Sequence, residues 1–200
     1  MFMFSTKDLK SQAKNNLEGK YFKYFLIMLV TTLLSSIPVF FDPEGTSIFF
    51  NIIDLVLSSA ITLFLYRADM NIALGKEDFV PKINDIVGII IKGIILTFLT
   101  VLIIIVGLIF FIIPGIIATY VFSQAFYVLL DDNSKSVIEC LKESKVIMKG
   151  NILNYIILEI SFIPKIILGV LTLGIGFFWF LPQMQVATAN FYFYAKENHK

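Results

Sequence analysis

The fold is decided by residues 87–113, VGIIIKGIILTFLTVLIIIVGLIFFII, and by the apolar residues 114–130 that follow them. Lys92 is the one charged residue in the two segments. A helix needs about 20 apolar residues to cross the hydrocarbon core of a bilayer, so this run is too long for a single crossing. Pro114-Gly115 is its strongest breaker, and we expect a tight hairpin of two transmembrane helices there. A hairpin that stops short of the far surface would be re-entrant instead.

The same interpretation extends to the whole chain. Of 200 residues, 58% are hydrophobic and 16% are charged, and the mean hydropathy is +0.85. A soluble fold of this composition would expose large apolar patches. We therefore predict an all-α, polytopic membrane helix bundle that forms a single integral membrane domain over residues 1–200. Its six transmembrane helices are predicted at residues 24–41, 48–65, 87–113, 114–130, 152–173 and 177–194.

Basic residues set the predicted orientation, because cytoplasmic loops carry the excess of Lys and Arg. Lys165 lies inside a predicted span, and the other 15 of the 16 basic residues fall on one side of the membrane. Both termini are therefore expected in the cytoplasm. These 15 residues are Lys7, Lys10, Lys14, Lys20, Lys23, Arg67, Lys76, Lys82, Lys92, Lys135, Lys142, Lys145, Lys149, Lys196 and Lys200. Residues 1–41 also fit a secretory signal peptide, but no small-residue cleavage motif follows Val39, which favours an uncleaved anchor.

Two short amphipathic helices are predicted to lie in the headgroup layer, at residues 5–19 and 134–149. Ser5 and Ser136 fit N-terminal caps, and Gly19 and Gly150 fit helix stops. The inward-facing stripes are Leu9, Ala13, Leu17 and Tyr21 in the first helix and Val137, Leu141, Ser144 and Met148 in the second. The two segments align at a shift of 131 residues. This pattern fits either a parallel duplication or the general design of a cytoplasmic helix that leads into a span.

Short motifs along nearly the whole chain carry a family resemblance. They are Asp8-Leu9-Lys10 with Ala13-Lys14 and Leu17-x-Gly19, Ile113-Pro114-Gly115-Ile116, Leu129-Leu130-Asp131-Asp132, Ser144-Lys145 with Met148-Lys149-Gly150, and Leu171-Thr172-Leu173-Gly174-Ile175-Gly176. The chain resembles a family of bacterial integral membrane proteins known only as a domain of unknown function. The resemblance implies a helical membrane fold and a bacterial cell-membrane location, and it supplies no catalytic residues. A looser likeness is to membrane domains fused to some glycerophosphodiester phosphodiesterases, whose soluble catalytic domain this chain lacks.

Three ionisable residues, Asp54, Glu159 and Lys165, are predicted within the hydrocarbon layer. Each costs about 2.5–3.5 kcal/mol at the centre of a span, so each should face a partner or water. The rise per residue puts Asp54 and Lys165 at matching depth, and we expect them to pair. Glu159 is unmatched unless Lys92 reaches it or it is protonated. These groups form either a structural ion pair between the second and fifth spans or a proton or cation relay or headgroup site.

Other candidate positions are small or helix-breaking residues. Close packing of a neighbouring helix is expected at Gly115, Thr119 and Ser123, which recur every fourth residue. Helix breaks are expected at Pro114, Pro164 and Pro182. A polar stripe on the sixth span favours hydrogen bonds between helices and consists of Gln183, Ala187 and Asn190.

Several classes of function are disfavoured by the residues that the chain lacks. One cysteine, Cys140, and one histidine, His199, argue against a disulfide framework and against a metal site. A net charge of +1 argues against nucleic acid as a partner. The sequence contains no phosphate-binding loop and no serine elbow. We expect neither an enzyme activity nor a cofactor.

The leading hypothesis is a non-enzymatic multi-pass membrane protein that works within the lipid bilayer. It would bind other membrane proteins, hydrophobic peptides or lipids as an assembly, export or immunity accessory. The alternative is a small proton- or cation-coupled transporter that uses the intramembrane charges and the duplicated hairpins. Transport requires a continuous polar path, for which three charged residues supply few groups.

Overall fold

A computed structural model describes residues 4–76, 86–110 and 112–198, and the regular structure of these ranges is helical throughout. Three residues named above, Lys82, His199 and Lys200, lie outside these ranges. The helices are α1 (Thr6–Leu17), α2 (Tyr21–Ser35), α3 (Ile37–Phe41), α4 (Ile48–Ala73), α5 (Ile86–Phe110), α6 (Ile112–Val121), α7 (Ala125–Asp131), α8 (Val137–Met148), α9 (Ile152–Ile160), α10 (Ile163–Leu171) and α11 (Phe177–Glu197).

Five helical segments of the described chain are long and apolar enough to cross a membrane. They are Tyr21–Phe41, Ile48–Ala73, Val87–Ile109, Ile113–Asp131 and Ile152–Leu171. The sixth predicted span forms α11, which is not among them. Amide side chains such as Gln183 and Asn190 interrupt its apolar sequence.

The helix that contains the second predicted span is longer than that span. It does not end near Leu65, because α4 continues to Ala73. The sequence from residue 66 to residue 74 contains neither Gly nor Pro. Gly75, with φ of 72°, supplies the left-handed residue that ends the helix.

The apolar helices form three hairpins. The first hairpin is α2, α3 and α4, the second is α5, α6 and α7, and the third is α9, α10 and α11. In the second hairpin α5 ends at Phe110 and α6 begins at Ile112, on either side of residue 111, which lies outside the described residues. The helix break predicted at Pro114 is wrong, because α6 continues through Pro114. Pro114 lies in the first turn of α6, where a missing N–H removes no helical hydrogen bond.

Close packing of α5 on α6 depends on Gly115. A Cβ at this position would lie 2.8 Å from the backbone nitrogen of Leu108. Thr119 and Ser123 instead donate within their own segment, to the carbonyls of Gly115 (3.2 Å) and Tyr120 (2.8 Å). Of the three small residues, Gly115 is thus the one at which α5 and α6 approach each other closely.

The two remaining predicted breaks behave differently. Pro164 lies in the first turn of α10, directly after the interruption at Ser161 and Phe162. Pro182 was predicted to break a helix, and this is wrong, because α11 continues through it. It removes one hydrogen bond near the start of α11, to the carbonyl of Phe178.

The first two helices recur later in the chain at a constant offset. α1 and α8 are both 12 residues long, and each begins after a serine, Ser5 or Ser136, that caps the helix through its side chain. Each ends before a glycine in the left-handed region, Gly19 (φ 75°) or Gly150 (φ 83°). Each is followed at once by an apolar helix, α2 or α9. The local geometry agrees with the shift of 131 residues seen in the sequence.

One side of the first hairpin carries a concentration of positive charge. Lys20 Nζ donates to the carbonyl oxygen of Lys76 (2.8 Å), which brings the start of α2 level with the end of α4. We call this side, which includes Lys20, Lys23, Arg67 and Lys76, the basic end. The largest buried side chains of the first hairpin, Tyr24, Leu63 and Ile72, lie toward this end, whereas Phe40 and Ile48 at the opposite turn are 80% and 77% exposed.

Both ends of α11 lie at the basic end. Trp179, near its start, stacks on Tyr21 with ring centroids 5.4 Å apart. Near its finish, Lys196 forms an ion pair with Asp131, whose neighbour Leu130 accepts a hydrogen bond from Arg67 through its carbonyl. The 21 residues of α11 extend about 30 Å. A helix of this length with both ends at one level cannot run parallel to α2 and α4.

α11 lies along α1 in the opposite direction. Asn190 Nδ2 donates to the carbonyl of Leu9 (3.3 Å), and Gln183 Nε2 donates to the carbonyl of Lys10 (2.9 Å). The predicted polar stripe of α11 thus faces α1. Leu9, Ala13 and Leu17 are buried in this contact region, as their spacing indicates.

Candidate functional site

Lys165 contacts the amide of Gln183 and not a carboxylate. Its ammonium donates to Gln183 Oε1 across the α10–α11 hairpin. The predicted pair with Asp54 is wrong: among the described residues, no ion pair joins the two. The interruption at Ser161 and Phe162 restarts the helix as α10, which turns Lys165 toward α1 and α11 rather than toward α4.

Two further lysines lie beside Lys165. Lys10 Nζ donates to the carbonyl and the hydroxyl of Ser161, at 2.8 and 3.2 Å. The ammonium groups of Lys10 and Lys165 lie 4.4 and 5.3 Å from the centre of one ring, that of Phe162. Lys14, one turn further along α1, is also close enough to repel Lys165. We call Lys10, Lys14 and Lys165 the lysine cluster.

The lysine cluster has an uncompensated positive charge. In the described ranges no carboxylate oxygen lies within 4 Å of its three ammonium groups. Burial lowers the pKa of Lys10, because the ammonium loses hydration that no anion replaces. Neutral acceptors and one aromatic ring hold the charges in place. Such a site is preorganised for an anion.

An apolar groove adjoins the lysine cluster. It is open to the outside, has a volume of about 390 Å³, and is lined by Lys14, Glu18, Gly19, Tyr21, Phe22 and Trp179. The stacked rings of Tyr21 and Trp179 form one wall. The groove thus runs from a charged rim, at Lys14, onto an aromatic surface.

Asp54 lies far along α4 from the basic end. It lines an open depression of about 180 Å³ at the turn of the first hairpin, together with Asp42, Glu44 and Asn51. Ser47 N donates to Asp42 Oδ2 (2.7 Å), which orders this turn. Asp54 and Lys165 therefore belong to different parts of the molecule.

Glu159 faces tyrosines rather than a lysine. The hydroxyls of Tyr120 and Tyr155 point toward its carboxyl. The alternative partner, Lys92, donates to the carbonyl of Asn133 (2.5 Å). Of the three predicted intramembrane charges, the structure thus brings no two together.

Asp69 is a buried carboxyl that the sequence analysis missed. It is 1% exposed and accepts a hydrogen bond from the hydroxyl of Tyr24. Tyr66 and Tyr127 are close enough to interact with its charge. The available signal was the absence of a helix breaker between Leu65 and Gly75, which places Asp69 inside a helix and not in a loop.

A chain of tyrosines extends from Asp69 toward Glu159. The rings of Tyr66 and Tyr127 have centroids 4.7 Å apart. Tyr127 and Tyr66 also interact electrostatically with Tyr155, whose hydroxyl faces Glu159. Neighbouring phenol groups therefore lie between the two carboxyls.

The described residues hold no group of three or more His, Cys, Asp or Glu side chains suited to a metal ion. Cys140 is buried, and burial raises the pKa of its thiol. A buried thiol of this kind is a packing residue rather than a nucleophile.

Residues 84–199, more than half of the chain, match the family described as Protein of unknown function (DUF975). The chain belongs to this family. No curated protein and no solved structure matches it. The DUF975 match includes Lys165 and Gln183 and leaves Lys10 and Lys14 of α1 outside. The family match therefore covers the α11 side of the α1–α11 contact and does not cover the α1 side.

Proposed function

We propose that this DUF975 protein is a non-enzymatic protein of the cell membrane whose basic end binds membrane constituents, with lipids as the leading class. The observation that carries the proposal is the lysine cluster, in which Lys165 of an apolar hairpin joins Lys10 and Lys14 without a carboxylate partner in the described residues. A membrane supplies anions at that level, on its cytoplasmic headgroups. Membrane proteins and hydrophobic peptides are the wider class of partners.

The packing supports four membrane crossings in place of the six predicted from hydropathy. The first and second hairpins cross, and the third hairpin lies along α1 in the cytoplasmic leaflet. Its turn is strongly apolar and exposed, with Leu173 at 96% and Ile175 at 79% exposure, as suits contact with acyl chains. Four and six crossings both leave the two termini in the cytoplasm, in agreement with the distribution of basic residues.

Native mass spectrometry of the protein released from mild detergent tests the lipid-binding role. We expect phospholipid to remain bound to the folded protein and delipidation to lower its thermal stability, since ligand binding stabilises the native state. A lipid-free protein with unchanged stability would contradict the proposal.

A second candidate function is a proton relay, favoured by the tyrosines between Asp69 and Glu159. Carboxyls linked by phenol groups are a route for protons inside a membrane protein. Proteoliposomes loaded with a pH-sensitive dye test it. A relay predicts proton flux that Asp69→Asn and Glu159→Gln each abolish, whereas a lipid-binding protein predicts no flux above that of empty liposomes.

A further inference from the structure

The lysine cluster and the apolar groove beside it fit the two halves of one amphiphilic ligand. We propose that they form a specific site for an anionic glycerophospholipid, with the phosphate between Lys10, Lys14 and Lys165 and an acyl chain against Tyr21 and Trp179. This inference rests on the proposed function and names the ligand class of its site.

Charge complementarity identifies the headgroup. The ammonium groups of Lys10 and Lys165 lie at one ring, that of Phe162, and have neutral partners in Ser161 and Gln183 that fix their positions. The exposed Lys14 is close enough to repel Lys165 and adds a third positive charge. Fixed donors lose little conformational entropy when a phosphate oxygen binds. A single phosphate diester with an anionic or neutral polar head satisfies them, and a zwitterionic lipid brings a cation that they repel.

The groove identifies the source of the phosphate as a lipid rather than a free anion. Lys14 belongs to both features, since it is a member of the lysine cluster and lines the groove. Besides Lys14 and the carboxylate Glu18, the groove is lined by Gly19 and by the aromatic side chains of Tyr21, Phe22 and Trp179. Trp179 is 62% exposed although its ring stacks on Tyr21. A soluble phosphate would leave this apolar surface uncovered.

Helix α8, which has the length and the serine cap of α1, offers a matched control. Lys145 on α8 occupies the position that corresponds to Lys14 on α1, and both lysines are exposed. Lys145 therefore contributes the same charge at a helix of the same length and cap. It differs from Lys14 in having no Lys165 and no Trp179 beside it.

Trp179 is the one tryptophan of the chain, so its fluorescence reports on the groove. The full-length protein in detergent micelles is titrated with phosphatidylglycerol that carries bromine on its acyl chains, which quench a tryptophan in contact. Brominated phosphatidylcholine is the neutral comparison. We expect phosphatidylglycerol to quench at lower mole fraction than phosphatidylcholine.

Each lysine near an anionic headgroup raises the affinity for the lipid by about fivefold. Lys14→Gln and Lys165→Gln should each weaken phosphatidylglycerol quenching by roughly fivefold, and Lys145→Gln by less than twofold. Lys165→Arg, which keeps the charge, should stay near the wild type. Lys14 is exposed, so Lys14→Gln keeps the test valid if Lys165→Gln fails to fold.

Four results would overturn the site. Equal losses in Lys14→Gln and Lys145→Gln would mean non-specific surface charge. Displacement of the lipid by inorganic phosphate would mean a free-anion site. Equal quenching by both lipids in every variant would remove the specificity while leaving the proposed lipid contact intact, and no quenching by either lipid would remove both.

Discussion

The ammonium of Lys165 donates to the side-chain oxygen of Gln183, and through Gln183 Nε2 it is connected to the backbone of Lys10. This relationship ties the third hairpin to α1. It replaces the ion pair with Asp54, and it draws a charge from an apolar hairpin to the basic end.

A double-mutant cycle distinguishes the two pairings. Lys165→Met and Gln183→Leu should each lower the free energy of unfolding, with a coupling of about 1 kcal/mol because they share one charge-assisted hydrogen bond. Asp54→Leu combined with Lys165→Met should give additive losses. Chemical denaturation in detergent measures both cycles, and coupling between Asp54 and Lys165 would contradict the observed geometry.

The hydrogen bond between Tyr24 and Asp69 should matter more than its position near a helix end suggests. Both side chains are buried, so Asp69→Ala leaves the Tyr24 hydroxyl with one acceptor fewer and opens a small cavity. We expect a loss of about 1–3 kcal/mol in the free energy of unfolding. Asp42→Ala, at the exposed turn of the first hairpin, serves as the comparison and should cost less. Equal losses would mean that Asp69 is not the buried partner of Tyr24.

The contact of α5 with α6 should tolerate no side chain at Gly115. Gly115→Leu forces a Cβ to within 2.8 Å of backbone at Leu108, and overpacking of this kind costs about 1–3 kcal/mol or opens the hairpin. Thr119→Leu, one turn along the same helix, places the same leucine side chain at an exposed position. Thermal unfolding should show a large loss for Gly115→Leu and little change for Thr119→Leu. The reverse order would show that another face of α6 packs on α5.

The cap of α8 should depend on pH. Ser136 N and Oγ both donate to Glu139 Oε2 at 2.7 Å, and these bonds hold the pKa of Glu139 below its usual value. A carboxyl with a lowered folded-state pKa stabilises at neutral pH, and that contribution is lost as the pH falls through the folded-state pKa. Protection factors for hydrogen exchange in the first turn of α8, corrected for the slower intrinsic exchange at low pH, should therefore fall on acidification. Glu139→Gln should remove the pH dependence, and a persistent dependence in that variant would assign it to another group.

Local patterns predicted the helices of this chain well, because caps, stops and apolar stripes are short-range features. Ser5 and Ser136, with Gly19 and Gly150, give the two amphipathic helices their bounds within a few residues. The same features recur at one offset, so the repeat was readable from the sequence. These features act within a few residues of each other and need no knowledge of the tertiary fold.

The candidate site was less accessible to prediction, because it depends on the direction in which helices leave their hairpins. Hydropathy placed Lys165 at a depth on the assumption that every apolar segment crosses the bilayer. The restart of the helix after Phe162 and the amides of α11 change that direction. Asp69 was missed for a related reason. The end of α4 is buried by its contacts with α2 and α7, and the sequence of α4 alone does not reveal those contacts.

The direction of the third hairpin is tested most directly by the accessibility of its turn. Leu173→Cys in a Cys140→Ser background is treated in intact cells with a membrane-impermeant thiol reagent, with Glu44→Cys as the outside control and Asn133→Cys as the inside control. A third hairpin that lies along α1 in the cytoplasmic leaflet predicts that Leu173→Cys stays unlabelled from outside, as Asn133→Cys does. Labelling of Leu173→Cys in intact cells to the extent of Glu44→Cys would show that the hairpin crosses the membrane, and it would contradict both the four-crossing arrangement and the placement of Lys165 beside Lys10.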